Sequence, residues 1–572
     1  MRLKFLSAYL LLIAVNLSCG NIDEKSVSQD DDGPKLYFGG DILTMQGDTP
    51  NYVESLVTQS GKIVFTGSYK KALELYKSGY QEVDLKGQTL LPGFIDGHAH
   101  FASFSGQAVG AKILPPPDAG AKNISELIRI LKEWNTPENR QLTGWIFGMG
   151  FDDSVLEEKR FPNKHDLDKV TTEFPVMIIH ISGHFAVVNS KGLEMLNINS
   201  ETLNPEGGLI RRENGNEPNG VLEELAAIPY YAKVLSPSSI EAANLFFEKG
   251  QEMAISYGYT TAHEGRAMLE NHTMLAEAAR NGKLKIDAVS YIDYMFVDTL
   301  MNTEWYSKAY DNHYRIAGMK LTLDGSPQGR TAWRTEPYLI PPDGAQMGYQ
   351  GYPAIPQDSV VQALYEKAFR NNWQVITHAN GDAAMDQMIR TMQLAQEKYG
   401  NSNRRSVLIH GQYVRDDQLD KFKKLQVIAS LFPLHTFYWG DWHKQIIGDS
   451  LGNRISPTRT ALDKGLKISI HTDAPVALPN LMRMIGISVE RKSRSGQVIG
   501  PEEKLTPYEA LQATTIWSAY QHFEEEHKGS LEEGKLADMV ILNKNPLKVA
   551  ETEIKDILVT ETIKEGTTIF KL

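Results

Sequence analysis

Cysteine is almost absent. Among 572 residues only Cys19 carries a thiol, so an intramolecular disulfide is excluded and the body of the chain has no thiolate. A metal site there must be built from His, Asp, Glu or Lys. Basic runs are missing as well, and the formal net charge is -12. Such a surface repels phosphate and excludes nucleic acid as a partner. There is no Gly-rich phosphate loop and no motif for a redox cofactor. What remains is ordinary for a folded protein, 41% hydrophobic and 23% charged, and a chain of this length is expected to form at least two domains.

The N-terminus reads as an export signal over residues 1–19. Arg2 and Lys4 precede an apolar segment, residues 5–15, that is too short to span a bilayer as a mature helix. Asn16-Leu17-Ser18-Cys19-Gly20 resembles a bacterial lipobox, with Asn16 where that motif usually has Leu. The expectation is a lipidated Cys19 and a membrane-anchored lipoprotein facing the periplasm or cell exterior. Cleavage near Ser18 or Gly20 would instead give a secreted soluble protein. Residues 20–34 are polar, include Asp30, Asp31 and Asp32, and read as a flexible tether.

The organising stretch is residues 90–101, LLPGFIDGHAHF. It reads as a buried strand ending in Asp96, Gly97, His98, Ala99 and His100. Residues two apart on a strand share a face, so His98 and His100 aim two imidazoles at one point. That suits a divalent metal such as zinc. Taken alone, the pair is equally a polar strand-loop junction.

Residues 35–89 read as short strands with one helix, and residues 529–572 return to strand character. Residues 506–526 read as one helical stretch, with Thr506 as its N-cap and Pro507 in its first turn. Between the terminal units, apolar strand-like runs alternate with amphipathic helices, which argues for parallel βα units. Several runs end in polar groups: one carries Lys320, others end at His378, His410 and Asp473. Functional groups at the C-terminal ends of many strands are what a TIM-type barrel provides. Residues 114–232, with loops rich in Pro, Gly and Asn, read as an insertion over the barrel mouth.

The motifs in order are Gly87-Gln88-Thr89-Leu90-Leu91-Pro92-Gly93 before His98-x-His100, Gly318-Met319-Lys320-x-x-x-Asp324-Gly325, and His378-Ala379-Asn380-Gly381-Asp382. Ile409-His410, His471-Thr472-Asp473-Ala474-Pro475-Val476 and Gly529-Ser530-Leu531-x-x-Gly534-Lys535-x-Ala537-Asp538 follow. Over nearly the whole mature chain this resembles the amidohydrolase superfamily. Within it, the match is to the YtcJ-like branch (amidohydrolase family 3), which includes N-substituted formamide deformylases. The resemblance implies an α/β fold: a distorted (β/α)8 TIM barrel, residues 90–528, with a small β-sandwich built from residues 35–89 and 529–572.

It also implies a centre of one or two divalent metals, zinc foremost. His98, His100 and Asp473 would hold one metal, and His378 and His410 the other. Lys320, carboxylated on its amine to a carbamate, would bridge them. Outside the resemblance, Lys320 is an ordinary paired lysine, though its apolar strand AGMKLTL argues against that. The implied reaction is metal-assisted hydrolysis of a C–N bond, amide or formamide rather than peptide, in a small molecule. A metal-bound hydroxide attacks, and Asp473 shuttles the proton to the departing amine. The same centre would serve an ester, a lactone or a short peptide, and a fold-only binding protein is the reading from another class.

Ser182-Gly183-His184 and Asn189 match a segment that reaches towards substrate in this branch, so His184 is a candidate to polarise the scissile group or a structural histidine. Asp324, His435 and Trp439 are expected in the substrate pocket, the last two within the aromatic run of residues 432–443. His263 and Glu264 are candidates to orient a ligand. His471 stands where a small residue is usual and would narrow the pocket. No partner other than a small-molecule substrate is implied, membrane contact would run only through Cys19, and a homodimer is left open.

Overall fold

The computed structural model describes residues 33–572 apart from 206–207 and 343–344. The expected export signal, Cys19 and most of the tether lie outside the described residues. The central sheet has eight strands: β1 (Phe94–Ile95), β2 (Tyr259–Ala267), β3 (Asp287–Asp293), β4 (Tyr314–Thr322), β5 (Gln374–Ala379), β6 (Val407–His410), β7 (Ile428–Leu431) and β8 (Ile468–Ile470). They pair in chain order, every ladder parallel. Most of their residues are buried, as in sheets covered by helices.

The covering helices carry the spacing that makes them. Asp358–Arg370 buries Val361, Tyr365, Ala368 and Phe369, and Asp382–Tyr399 buries Met385, Met388, Ile389, Met392 and Ala395. Steps of three and four put those residues on one stripe. Each side chain so buried contributes about 1.5–3 kcal/mol, less for alanine.

The seam between β1 and β8 is closed by single hydrogen bonds. Gly97 N donates to Ile470 O (3.4 Å), His100 N to Ala474 O (2.8 Å) and Asp473 N to His98 O (3.0 Å). Behind them, Ile95 N donates to Thr514 O (2.9 Å) and Ile470 N to Ala513 O (3.4 Å). These last two bonds explain a departure from expectation. The stretch read as one helix is two, Pro507–Gln512 and Ile516–Gln521. The hydroxyls of Thr514 and Thr515 bond back to Leu511 O (3.0 and 2.7 Å), and the carbonyls at the break go to the barrel. Thr506 is the N-cap, in a capping box with Glu509.

Both ends of the chain build one eight-stranded sheet. Thr89–Pro92 pairs antiparallel with Met539–Leu542, which joins the strands before the barrel to those after it. One face packs Tyr37, Ile42, Leu56, Leu90, Met539 and Ile563; the other packs Leu36, Val57 and Phe65 against Ala72. Neighbours such as Leu36 and Tyr37 fall on opposite faces, as strand geometry requires. A buried ion cluster ties this sheet to the barrel. Lys564 Nζ lies 2.8 Å from Asp287 and 2.9 Å from Asp538, and Lys528 pairs with Asp287 and with Glu524 (2.9 Å). Arg315 reaches Glu524 at 2.6 Å.

Between β1 and β2 in the chain lies a third sheet, of five strands: Ile146–Phe151, Val176–His180, Phe185–Val188, Gly208–Glu213 and Glu217–Glu224. It has its own core, including Ile146, Ile178, Val187 and Val221. The turn between its second and third strands carries His184.

Candidate metal centre

Asp96, the first residue after β1, is fully buried and accepts four hydrogen bonds. Donors are Tyr259 Oη and Thr472 Oγ1 (2.6 Å each) and the backbone N–H groups of His98 and Thr472 (3.2 Å each). Burial pushes its carboxyl up to about 6, against the pull of those donors. Asp96 thereby fixes the start of β2, the end of β8 and the backbone of His98 relative to one another.

Two groups of donor atoms follow. In the first, His98 Nε2 and His100 Nε2 lie 3.7 and 3.4 Å from Asp473 Oδ1, and Lys320 Nζ lies 3.1 Å from His98 Nε2. In the second, His378 Nδ1 faces His410 Nε2 at 3.1 Å. Asp473 spans the two, its Oδ2 3.9 Å from His410 Nδ1. The six side chains come from the C-terminal ends of β1, β4, β5, β6 and β8. His410 (φ 76°) and Asp473 (φ 52°) hold left-handed backbone, a strain of about 1–3 kcal/mol each that persists only where the surroundings enforce it.

The electrostatics match the donor set. Burial, and the nearby Lys320 amine, hold His98 and His378 well below the usual imidazole range. Burial with the neighbouring His378 and His471 does the same to His410. Neutral imidazoles are the form that ligates. Burial also brings Lys320 down to about 7, although Asp473 pulls the other way. Among the described residues no carboxylate lies within 4.0 Å of its Nζ. His100 behaves differently: burial is outweighed by Asp473 and Glu264, which raise it.

Facing nitrogens 3.1 Å apart are close to the spacing of two ligands that share a cation through bonds of about 2.0–2.1 Å. His98, His100 and Asp473 also offer donor atoms all within 4.8 Å of one another. The residues present fit a divalent metal centre.

Neighbours orient these ligands. His378 Nε2 lies 3.2 Å from Gly325 O and 3.1 Å from Asn380 Nδ2. Glu264 accepts from Ala102 N (2.8 Å) and lies 3.8 Å from His100 Nδ1. His263 makes no bond to a ligand side chain; its Nδ1 accepts from Ala99 N (3.3 Å), and its ring packs on His98 at 5.0 Å. Gly265 leaves room for His98, since a Cβ there would fall 2.0 Å from His98 Cε1. Nothing in the local pattern around Gly265 signals this, because the close approach is between β2 and β1.

His184 is brought to the centre by the insertion. Its Nδ1 lies 2.8 Å from Glu224 Oε2. Burial disfavours its charge, but Glu224 and more distant Asp473 raise its pKa overall. Asn189, expected to reach towards substrate, instead caps the helix Ser190–Leu196 and accepts from Val176 N (2.9 Å). Asp324 lies with its Oδ1 3.5 Å from His378 Nε2. It accepts from Asn380 N (2.9 Å), Gly381 N (2.7 Å) and Trp333 N (3.0 Å), and burial raises it to about 7 despite those bonds. Residues 434–443 of the aromatic run belong to a helix, Leu434–Ile447. His435 lies inside it, 3.0 Å from His443 Nε2 and packed on Trp439.

Trp439 does face a cavity of about 110 Å³ between insertion and barrel, with Phe161, Phe185, Tyr352 and Trp442 around it and Asp153 and His180 as polar groups. None of the six candidate ligands lines it. Phe185, which lines it, follows His184 in sequence. Arg266, which donates to Asp293 (2.8 Å) at the ends of β2 and β3, carries no sequence signal.

Residues 81–570 match the model of an amidohydrolase family. The chain is 26% identical over 549 residues to YtcJ of Bacillus subtilis, covering 94% of this chain and 99% of that one. It is 24% identical to N-substituted formamide deformylase of Arthrobacter pascens, over 90% of this chain and 94% of that one. A solved structure of an uncharacterized metal-dependent hydrolase from Pyrococcus horikoshii superposes with a TM-score of 0.70 at 26% identity, covering 91% and 99% of the two chains.

Proposed function

The chain belongs to the amidohydrolase family, and from that membership we propose that it hydrolyses a C–N bond of a small molecule, of amide or formamide type rather than peptide. The observation that carries the reading is the convergence of His98, His100, Lys320, His378, His410 and Asp473 at one end of the barrel. Similarity to a formamide deformylase over most of both chains supports the bond type.

His98, His100 and Asp473 would hold one divalent cation, and His378 and His410 a second. Lys320, as a carbamate, would reach both. Zinc is the proposed metal, suited to nitrogen and carboxylate donors. Cations bound there supply a Lewis acid for the scissile carbonyl and lower the pKa of water. The rest falls to the chain. A lysine whose pKa is about 7 exists largely as free amine just above neutrality, the form that takes up carbon dioxide. Asp473 brings Oδ1 to 3.7 and 3.4 Å from His98 and His100, and its Oδ2 lies 3.9 Å from His410 Nδ1. That oxygen can take the proton of the attacking water and return it to the departing amine. His184, held by Glu224, would donate to the carbonyl oxygen as negative charge develops there. We further propose that the protein is exported and anchored through a lipidated Cys19.

Metal content of the form beginning after Cys19, followed by a substrate screen, tests this. About two equivalents of zinc or a similar metal per chain are expected, with turnover of N-formyl or N-acyl amines exceeding that of matched esters and lactones. Absence of metal after reconstitution with metal and bicarbonate would refute the reading, and turnover of esters alone would refute the bond type.

A further inference from the structure

We infer that His471 is a positioning residue for the second metal, the partner that selects the ligating tautomer of His410. This rests on the metal-centre reading above and goes beyond the ligand set. His471 does not narrow the pocket. It is fully buried, behind the ring of ligands. Its Nε2 lies 3.0 Å from His410 Nδ1, and its Nδ1 lies 2.9 Å from Ser430 Oγ, itself fully buried. The ring is held flat against Phe432 (5.1 Å between centroids, 29° between planes) and meets His98 edge-on at 5.4 Å.

The bonding leaves one proton arrangement compatible with a cation at His410 Nε2. That nitrogen faces His378 Nδ1, so both must present lone pairs there. The proton of His410 then sits on Nδ1 and is donated to His471 Nε2. A neutral His471 that accepts at Nε2 carries its own proton on Nδ1 and donates it to Ser430 Oγ. With the cation gone, the chain can run the other way, and His410 Nε2–H donates to His378 Nδ1. His471 therefore stabilises the ligating form of His410 without adding a negative charge beside the metal, as a carboxylate in that place would. His378 turns its Nε2 towards the backbone carbonyl of Gly325 (3.2 Å), with Asn380 Nδ2 at 3.1 Å and Asp324 Oδ1 at 3.5 Å.

The test is chelator competition and elemental analysis on the full mature protein, comparing wild type with His471→Leu and His471→Gln. Leucine fills space but accepts nothing; glutamine can accept from His410 and donate to Ser430. Metal-free thermal melts establish that each variant folds. In the wild type two metals are expected. In His471→Leu one of the two binds about 10–100-fold more weakly and the other is little changed. His471→Gln recovers most of the loss. Equal behaviour of Leu and Gln, whether both as wild type or both weakened, would mean packing alone and overturn the inference. If His471→Leu fails to fold, Ser430→Ala decides: weakened binding of one metal supports the relay, unchanged binding overturns it. A wild type that binds no metal would overturn the metal-centre reading, and this inference with it.

Discussion

Replacing Gly265 with alanine is the sharpest probe of the ligand geometry. The new Cβ would lie 2.0 Å from His98 Cε1, 2.4 Å from Nδ1 and 3.0 Å from Ala99 O. Ordinary contact begins at 3.4 Å, so the ring must move by more than an ångström or β2 must back away. The ring has nowhere to go. His100, His263, His410 and His471 surround it at centroid distances of 5.0–5.5 Å, and His98 is fully buried. Overpacking of this kind costs about 1–3 kcal/mol of stability. The effect on the metal is sharper, because ligand distances tolerate only about 0.2 Å. The variant is expected to remain folded, to lose the metal held by His98 and His100, and to keep little activity. Gly120→Ala is the control, since nothing lies within 4 Å of a Cβ there. Elemental analysis and urea denaturation on both variants provide the measurements. Full metal content in Gly265→Ala would refute the argument that His98 ligates in this pose.

Lys320→Ala is expected to lower bound metal and activity together; two metals and full activity would remove its bridging role. His184→Gln should lower kcat by about a hundredfold with metal content unchanged, whereas loss of metal would make its role structural. The Glu524 carboxyl is held down to about 2: burial opposes its charge, but Lys528 and Arg315 outweigh burial. A depressed carboxyl contributes stability that is present above its unfolded pKa, near 4.5, and lost as pH falls through its folded value. Wild-type stability should therefore drop by about 3 kcal/mol between roughly pH 4.5 and 2 from this group. In Glu524→Gln that part of the slope should vanish, with about 3–5 kcal/mol lost at neutral pH because two buried cations lose a partner. An unchanged acid limb in a denaturant series would contradict this.

The barrel was legible because its strands and helices carry different periods, and because polar residues end apolar runs. His98, His378, His410 and Asp473 all announce themselves that way, and Lys320 stands out within its strand. The helical break at residues 513–515 was hidden. Its cause is the seam between β1 and β8, a contact far away in sequence, and the local pattern there is helical. The same reason hides Gly265 and Ser430, whose roles exist only across strands. The helix at Leu434–Ile447 was hard to see because its aromatic and apolar residues are buried on more than one side, so no clear polar face marks its spacing. Asp324 was legible only as a carboxylate after a ligand-bearing strand: the three backbone N–H groups that hold it 3.5 Å from His378 Nε2 come from other segments of the chain. Asn189 resembles it, a polar residue consumed by a helix cap.

The seam has a consequence for the order in which the molecule is completed. The strand that leads into His98 and His100 is supported by the carbonyl of Thr514 and by pairing of Thr89–Pro92 with Met539–Leu542, while the carbonyl of Ala513 takes Ile470 N of β8. Those supports leave the ribosome some four hundred residues after the strand they hold. A growing chain can lay down its middle βα units from neighbours close in sequence, but β1 must wait for partners of high contact order. The first half of the metal site is thus among the last parts to form, and a chain cut short near residue 500 would keep all six donor residues while lacking the frame that aims two of them.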